Sequence, residues 1–435
     1  MLGRVLPVKS DFVQFVLRAF RSHSVHFWLA SALAWLVGLP VWAQLDPTPR
    51  RVLQLGYNQP TEGKAPFAAY AFYYYNQPGF YRTNWTLRAA IAPVYADAEL
   101  GFLGGLGGHT DLGVGLAGGG FADSYSEIRG GRWIQAESFT GHAGEFSLSA
   151  YHLLNPLASG VTPTTVLEAP AQLVFRGALR YSQFERNDAT ANDFVIPEDR
   201  PTGHVRVGIR WGGREPLMVP PVAFELSAWY EGQFRANTED YGYHGSTPAA
   251  SQSHRFWARA LLAYTLPSQQ RFEVILTAGS SLNADRLSAY RLGGTLPLAA
   301  EFPLMIPGYY FEEISTRQFA LFNANYSVPL GKHWEVLTFG AAAVCDYLPG
   351  LEQRGNLNAG VGAGFGWETA DGGLHIVASY AYGVNALRGD ERGAHNVGIL
   401  IQYDFERGNG VERARSVLSR LNPTGWRGVN GLFHR

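Results

Sequence analysis

The sequence predicts an all-β fold, a transmembrane antiparallel β-barrel of about sixteen strands whose sixth extracellular connection is long. Three observations lead there. Charged residues are only 16% of the chain, against roughly 25% in soluble proteins, while glycine reaches 51 of 435 residues and aromatics 14%. Short runs alternate apolar residues with polar or small ones. The connections between the runs alternate between short and long.

The first element precedes the fold. Lys9, Arg18 and Arg21 give a basic lead-in, and Phe27 to Ala43 (FWLASALAWLVGLPVWA) is apolar until Gly38 and Pro40 break it. Val41 and Ala43 occupy the −3 and −1 positions of a cleavage before Gln44. A run this short, ending in helix breakers, is read as a secretory signal rather than a membrane span. The expected organisation is a signal peptide over 1–43, a short periplasmic lead over 44–50, an outer-membrane barrel over 51–405, and a C-terminal periplasmic tail over 406–435. In that tail Val411, Ala414, Val417, Leu418 and Leu421 recur at helical spacing until Asn422-Pro423.

A barrel strand must show apolar residues to lipid and polar or small residues to the lumen, so period two is the test. Leu173, Phe175, Leu179 and Tyr181 alternate with Arg176, Ala178, Arg180 and Ser182. Val205, Val207, Ile209 and Trp211 alternate with His204, Arg206, Gly208 and Arg210. Between Asn356 and Glu368 every second residue is glycine, asparagine or glutamate, and those between are apolar. Runs of this kind fall near 51–58, 66–75, 83–93, 97–106, 111–119, 144–154, 172–184, 204–211, 223–234, 254–265, 271–280, 315–328, 334–347, 356–368, 374–384 and 395–405. After even-numbered runs the connections are mostly short (GGHTD, LPSQQR, PLGKH, TADGG), and after odd-numbered ones several are long: 120–143, 185–203, 235–253 and 281–314. That is the asymmetry of periplasmic turns and extracellular loops. The aromatic cluster Phe72 to Tyr75 is placed at a strand end, where an interfacial girdle belongs.

Little in the sequence suggests catalysis. GVGLAGGG (113–120) and GVGAGFG (360–366) look like phosphate cradles, but their glycines alternate within strands and no helix follows. They are read as a lumen wall kept low so that another segment can approach. There is no Gly-x-Ser-x-Gly elbow, no His-Glu-x-x-His and no clustered Cys/His spacing. The chain is expected not to be an enzyme and to use no cofactor or metal. A formal net charge of −1 argues against a nucleic-acid partner, and the single Cys345 excludes an internal disulfide. Arg176, Arg180, Arg206, Arg210, Arg255 and Arg259 are placed on lumen faces, with Glu225 and Glu231 between them. They form either an interior ladder of ion pairs or an electropositive strip for an anionic solute or lipid headgroup.

RLGG (291–294), a long loop and FALFNANYSVPLG (319–331) together resemble the bacterial surface antigen superfamily of outer-membrane insertases, two-partner secretion transporters and lipase-fused barrels. The resemblance implies a barrel of about sixteen strands whose sixth extracellular loop opens after a Gly-Gly, here Gly293-Gly294, and folds back into the lumen. The family's loop tip carries an Arg-Gly-aromatic motif whose arginine meets an acid on the wall. Counted from Gly293-Gly294 that motif falls near Ala299-Ala300, and aligned on the later glycine it becomes Pro307-Gly308-Tyr309; the arginine is absent in both, and the wall acid is replaced by Ala341. The loop is therefore expected to be held by packing against Gly360, Gly362 and Gly364, with Leu298, Phe302 and Leu304 shielded. Asn396, Gly398, Ile401 and Tyr403 match the assembly signal of the last strand, which outer-membrane barrels share generally. The 44–50 lead leaves no room for the periplasmic POTRA domains that usually precede the barrel.

The resemblance implies a barrel that places or translocates protein or lipid at the outer membrane of a Gram-negative-type envelope. Its expected partners are outer-membrane lipid, the barrel assembly machinery during biogenesis and a separate periplasmic protein. A porin-like diffusion channel or solute transporter, or a structural surface barrel, is the alternative.

Overall fold

A computed structural model describes residues 49–155, 169–212, 222–294 and 303–406. The signal segment 1–43, the tail from 407 onward, and Leu298 and Phe302 lie outside the described residues.

The barrel strands run in chain order: β1 (Arg50–Pro60), β2 (Ala69–Pro78), β3 (Trp85–Ile91), β4 (Tyr95–Phe102), β5 (Thr110–Gly119), β6 (Thr140–Leu153), β7 (Ala171–Glu185) and β8 (Arg200–Gly212). Then follow β9 (Val222–Arg235), β10 (Gln252–Thr265), β11 (Arg271–Leu282), β12 (Ile314–Leu330), β13 (Trp334–Tyr347), β14 (Leu357–Glu368), β15 (Leu374–Arg388) and β16 (Glu391–Asp404). Each pairs antiparallel with its neighbours in sequence, and β1 closes on β16 from Val52↔Asp404 to Pro60↔Asn396. The 17-stranded sheet contains one further piece, Tyr290–Leu292, which pairs with the start of β12 beyond the end of β11.

Alternation decides which residues face lipid. On β1, Leu53, Leu55 and Tyr57 are exposed while Val52 and Gln54 are buried, and on β7 Phe175 and Leu179 are exposed while Val174 and Arg176 are buried. The same outer surface collects Ile209, Leu262, Phe272, Leu276, Phe322, Val361, Phe365 and Ile399. In water so many exposed apolar side chains would be an aggregation surface. On a closed, even-stranded barrel they are the lipid-facing band, and the fold is that of a Gram-negative-type outer membrane.

The seam between first and last strands is locked from within. Gln54 donates to the Gln402 side-chain oxygen at 2.9 Å, and Tyr70 donates to Gln54 at 3.2 Å. The Tyr70 ring needs Gly56 opposite it, where a Cβ would lie 2.1 Å from the ring edge. Asn396 faces inward, and Ile401 and Tyr403 pair with Leu55 and Leu53 across the seam.

β6, β8 and β16 each begin four residues before their expected start, at Thr140, Arg200 and Glu391, and two further expectations change. β2 begins at Ala69 and extends to Pro78, so Phe72 to Tyr75 is not a strand-end girdle. Alternation sends Phe72 and Tyr74 into the barrel, where they pack with Val52 and Ala90, and leaves Tyr73 and Tyr75 outside. Rings do gather beside them, with Phe405 stacked edge-on against Tyr73 at 6.0 Å and Tyr403 at 4.7 Å. Second, β15 runs four residues past its expected end at 384, through a register shift between Gly383 and Leu387. That extension carries Arg388 onto the wall.

Candidate functional site

The connection between β11 and β12, residues 283–313, meets the wall at several described points. Gly293 and Gly294 form parallel bridges to Met305 and Phe311, with Gly294 N–H donating to Tyr310 oxygen at 2.7 Å. Side chains would block this approach: a Cβ on Gly293 would sit 2.2 Å from the Tyr310 oxygen and one on Gly294 2.4 Å from that of Tyr309. The double glycine is thus required by backbone proximity, and it folds the chain back on itself.

Pro307-Gly308-Tyr309 is the tip of that fold. A Cβ on Gly360 would lie 1.9 Å from the Pro307 oxygen, and one on Gly308 would lie 1.9 Å from the Gly383 nitrogen. Gly308 also has φ +83°, a conformation open to glycine. Tyr309 is fully buried and donates to Asn358 at 3.3 Å, and Asn323 donates to the Met305 oxygen at 2.9 Å. Ile306 and Tyr309 belong to one apolar cluster with Leu292, Phe319, Leu321, Ala341 and Ala343, and the half-buried Leu304 packs against it.

Polar contacts complete the attachment. Arg388 on β15 pairs with Glu313 at 3.1 Å, with the Glu313 side chain fully buried. The same guanidinium donates to the Gly308 oxygen at 3.0 Å and lies 3.6 Å from the Tyr310 ring centroid. Burial pushes the Glu313 carboxyl above its ordinary range, and Arg388 and the Tyr310 amide pull it back. The expectation of packing alone is therefore incomplete, because a buried ion pair is present as well. Gly362 and Gly364 also differ from expectation. Their missing Cβ atoms leave room for Phe339 and Leu337 of the neighbouring strand, and among the three glycines only Gly360 is met by the loop. Sequence reading missed Arg388 and Glu313 because β15 was ended at 384 and an acid was sought on the thirteenth strand.

The lumen arginines all meet carboxylates. Arg176 and Arg180 converge on Glu145, and Arg180 also meets Asp123. Glu231 sits between Arg206, at 3.0 Å, and Arg255. Glu225 accepts from Arg210 at 3.1 Å and lies 3.9 Å from Arg259. Arg88–Glu99 at 2.6 Å and His375–Glu335 at 2.8 Å continue the pattern on strands the sequence reading did not single out. Above this, the extracellular connections pack on each other. Tyr125, Phe139, Phe194 and Tyr241 come from three of them and form one buried cluster, against which Leu287 of the β11–β12 connection packs. Glu127, fully buried, takes Arg129 and Arg286 at 3.2 Å each. Among the described residues no group of three or more His, Cys, Asp or Glu is arranged to hold a metal ion.

No family model matches the sequence, and no curated protein aligns with it. Solved structures do match in fold. CdiB from Acinetobacter baumannii aligns over 83% of this chain and 60% of its own, at 10% identity and TM-score 0.54. CdiB from Escherichia coli aligns over 85% and 64%, at 12% identity and TM-score 0.51. BamA from Haemophilus ducreyi lacking POTRA domains 1-3 aligns over 82% and 71%, at 11% identity and TM-score 0.47. The chain thus spans less than two thirds of the length of the CdiB chains it matches. At these identities the likeness is one of fold alone: a sixteen-stranded barrel resembling the CdiB barrels.

Proposed function

We propose that this barrel places or translocates protein or lipid at the outer membrane, and that its sixth extracellular loop is folded into the lumen and gates the passage. The observation that carries this reading is the attachment of Pro307-Gly308-Tyr309 to Gly360 and Gly383, with Arg388 holding both Gly308 and Glu313. A surface loop that only connected two strands would gain nothing from a fully buried glutamate or from glycines cut to fit it. In this reading 1–43 directs export and 51–405 forms the barrel. Outer-membrane lipid and the assembly machinery, which would read Asn396, Gly398, Ile401 and Tyr403, are its partners during biogenesis, and a separate periplasmic protein delivers cargo.

The test is planar-bilayer conductance of the purified barrel with and without residues 295–312, paired with cross-linking and co-purification of periplasmic proteins. A large rise on deletion, and a specific periplasmic partner, are expected. Unchanged conductance on deletion would sink the gating loop, and high conductance in the intact protein would favour a diffusion channel.

A further inference from the structure

A cavity of about 660 Å³ opens at the extracellular end beside the β1–β16 seam, within the roughly 300–1,000 Å³ range of ligand pockets. Four segments distant in sequence build it: Glu62 to Lys64 after β1, Gly131 to Trp133, Tyr310, and Tyr382 to His395 around the β15–β16 hairpin. Close backbone approach fixes these walls. A Cβ on Gly131 would lie 1.7 Å from the Leu387 oxygen, and one on Gly63 would lie 2.2 Å from the Tyr310 hydroxyl. Both glycines hold positive φ, and Tyr310 donates to the Glu62 oxygen at 3.1 Å. The site is thus formed before any ligand arrives, which lowers the ordering cost of binding.

Its chemistry is mixed in a specific way. Arg388 is committed to Glu313 and Gly308, which leaves Lys64, Arg132 and Arg392 as the cations facing the opening. Arg132 is 67% exposed and its nearest carboxylate, that of Asp390, is 3.9 Å away and itself 86% exposed. Such a pair is weak and is readily exchanged for a better anion. Among the described residues Arg392 donates to the Arg354 carbonyl alone, at 3.1 Å. Guanidinium forks suit phosphate or carboxylate oxygens. Trp133 and Tyr382 line the cavity, Tyr382 with its ring 4.9 Å from that of His395, and Glu391 adds an acceptor for hydroxyl groups, while Glu62 already accepts from the His395 N–H at 2.7 Å. Three cations, Lys64, Arg132 and Arg392, against the carboxylates of Glu62 and Glu391 leave the lining only slightly positive, which suits a ligand with one anionic group better than a polyacidic peptide. A sugar ring, with hydroxyls along its edge and C–H groups on its face, satisfies both kinds of wall.

We propose that this cavity is a binding site for an anionic saccharide, its phosphate or carboxylate held by Lys64, Arg132 and Arg392 and its ring packed on Trp133 and Tyr382. None of these five residues attaches the loop, but Tyr310 of the loop forms one wall, so the site rests on the loop being placed as it is here.

The experiment titrates the mature barrel in detergent micelles by calorimetry with D-glucose 6-phosphate, D-glucose and inorganic phosphate. Saturable binding of the sugar phosphate, tighter than either component alone, is expected. Arg132→Glu with Arg392→Glu should weaken it at least about tenfold, and Trp133→Ala should weaken it too, with heat-modifiable mobility unchanged. Absence of saturable binding, binding indifferent to these variants, phosphate binding equal to the sugar phosphate, or tighter binding of tetraglutamate would each overturn the proposal. Nanodiscs containing lipopolysaccharide that compete with the sugar phosphate identify a lipid-borne headgroup as the source, and lack of competition identifies a free saccharide.

Discussion

Arg388 Nη1 lies 3.2 and 3.1 Å from the two carboxylate oxygens of Glu313, across 75 residues of chain. Their side chains are 7% and 0% exposed, so the two charges are removed from water together. In the family pattern that the sequence resembles, the loop supplies the arginine and the wall the acid. Here the wall supplies the arginine and the loop the acid, while the position of the expected wall acid is taken by Ala341, packed in the apolar cluster with Tyr309. With the same guanidinium on the Gly308 oxygen, the pair joins the 308–313 stretch of the connection to β15.

Removing either partner should free the loop. Arg388→Ala leaves a buried carboxylate and Glu313→Ala a buried guanidinium, and each should cost about 3–5 kcal/mol of barrel stability. The double alanine variant should be less damaging than either single one, since no unpaired charge is left. Heat-modifiable gel mobility reads the stability, and bilayer conductance reads loop release. Wild-type behaviour in both single variants would show that the pair restrains nothing.

The glycines on β14 separate two ways of filling a wall. Gly360→Leu places a side chain where the Pro307 oxygen sits, so the loop tip should lift and a cysteine at Leu304, in a Cys345→Ala background, should label with a membrane-impermeant maleimide. Gly362→Leu instead strikes the Phe339 ring of β13 and should lower folding yield while Leu304 stays shielded. Equal labelling of Leu304 in the two variants would refute the placement of the tip against Gly360.

The barrel was largely legible because a period-two signal and the alternation of loop lengths come from the same constraint, one face in lipid and one in the lumen. Phe146 and Leu148 of β6 face out while Ser147 and Ser149 face in, and on β8 Ile209 faces out while Gly208 and Arg210 face in. The extracellular ends of strands were harder to read. Where β15 passes the lipid boundary its outer face no longer needs to be apolar, so the pattern fades before Arg388 although pairing continues to Glu391. The Arg388–Glu313 tie was hidden for that reason. The packing of Tyr125, Phe139, Phe194 and Tyr241 was hidden for another, since contacts between separate loops leave no period in any one of them.

Position along the last strand should set the cost of a charge. Ile399 lies on the outer face near the middle of β16, and Tyr403 lies on the same face near its periplasmic end. Ile399→Arg should cost about 2–4 kcal/mol, and Tyr403→Arg at most about 1 kcal/mol, as expected for midplane and interfacial depths. Urea titration of the barrel in lipid vesicles measures both. A larger cost at Tyr403 would mean that the lipid band is centred elsewhere on the strand.

Glu231 distinguishes an ionic ladder from an anion-attracting strip. It is the shared partner of Arg206 and Arg255, on the strands to either side, and it also accepts from Gln233 at 3.2 Å. With the carboxylate present, the two guanidinium groups are neutralised in part and held apart. Glu231→Gln keeps the volume and one acceptor but leaves the two positive charges of Arg206 and Arg255 without their shared carboxylate. Two consequences are expected together. Stability should fall by about 3 kcal/mol, because an uncompensated charge is left buried. Any residual conductance should shift toward anions, read as the reversal potential under a potassium chloride gradient. Arg255→Gln, which removes one of the two charges, should restore both when combined with Glu231→Gln. If anion selectivity is already strong in the unaltered barrel and Glu231→Gln leaves it unchanged, the strip is electropositive in spite of its pairing, and the ladder account of these residues fails.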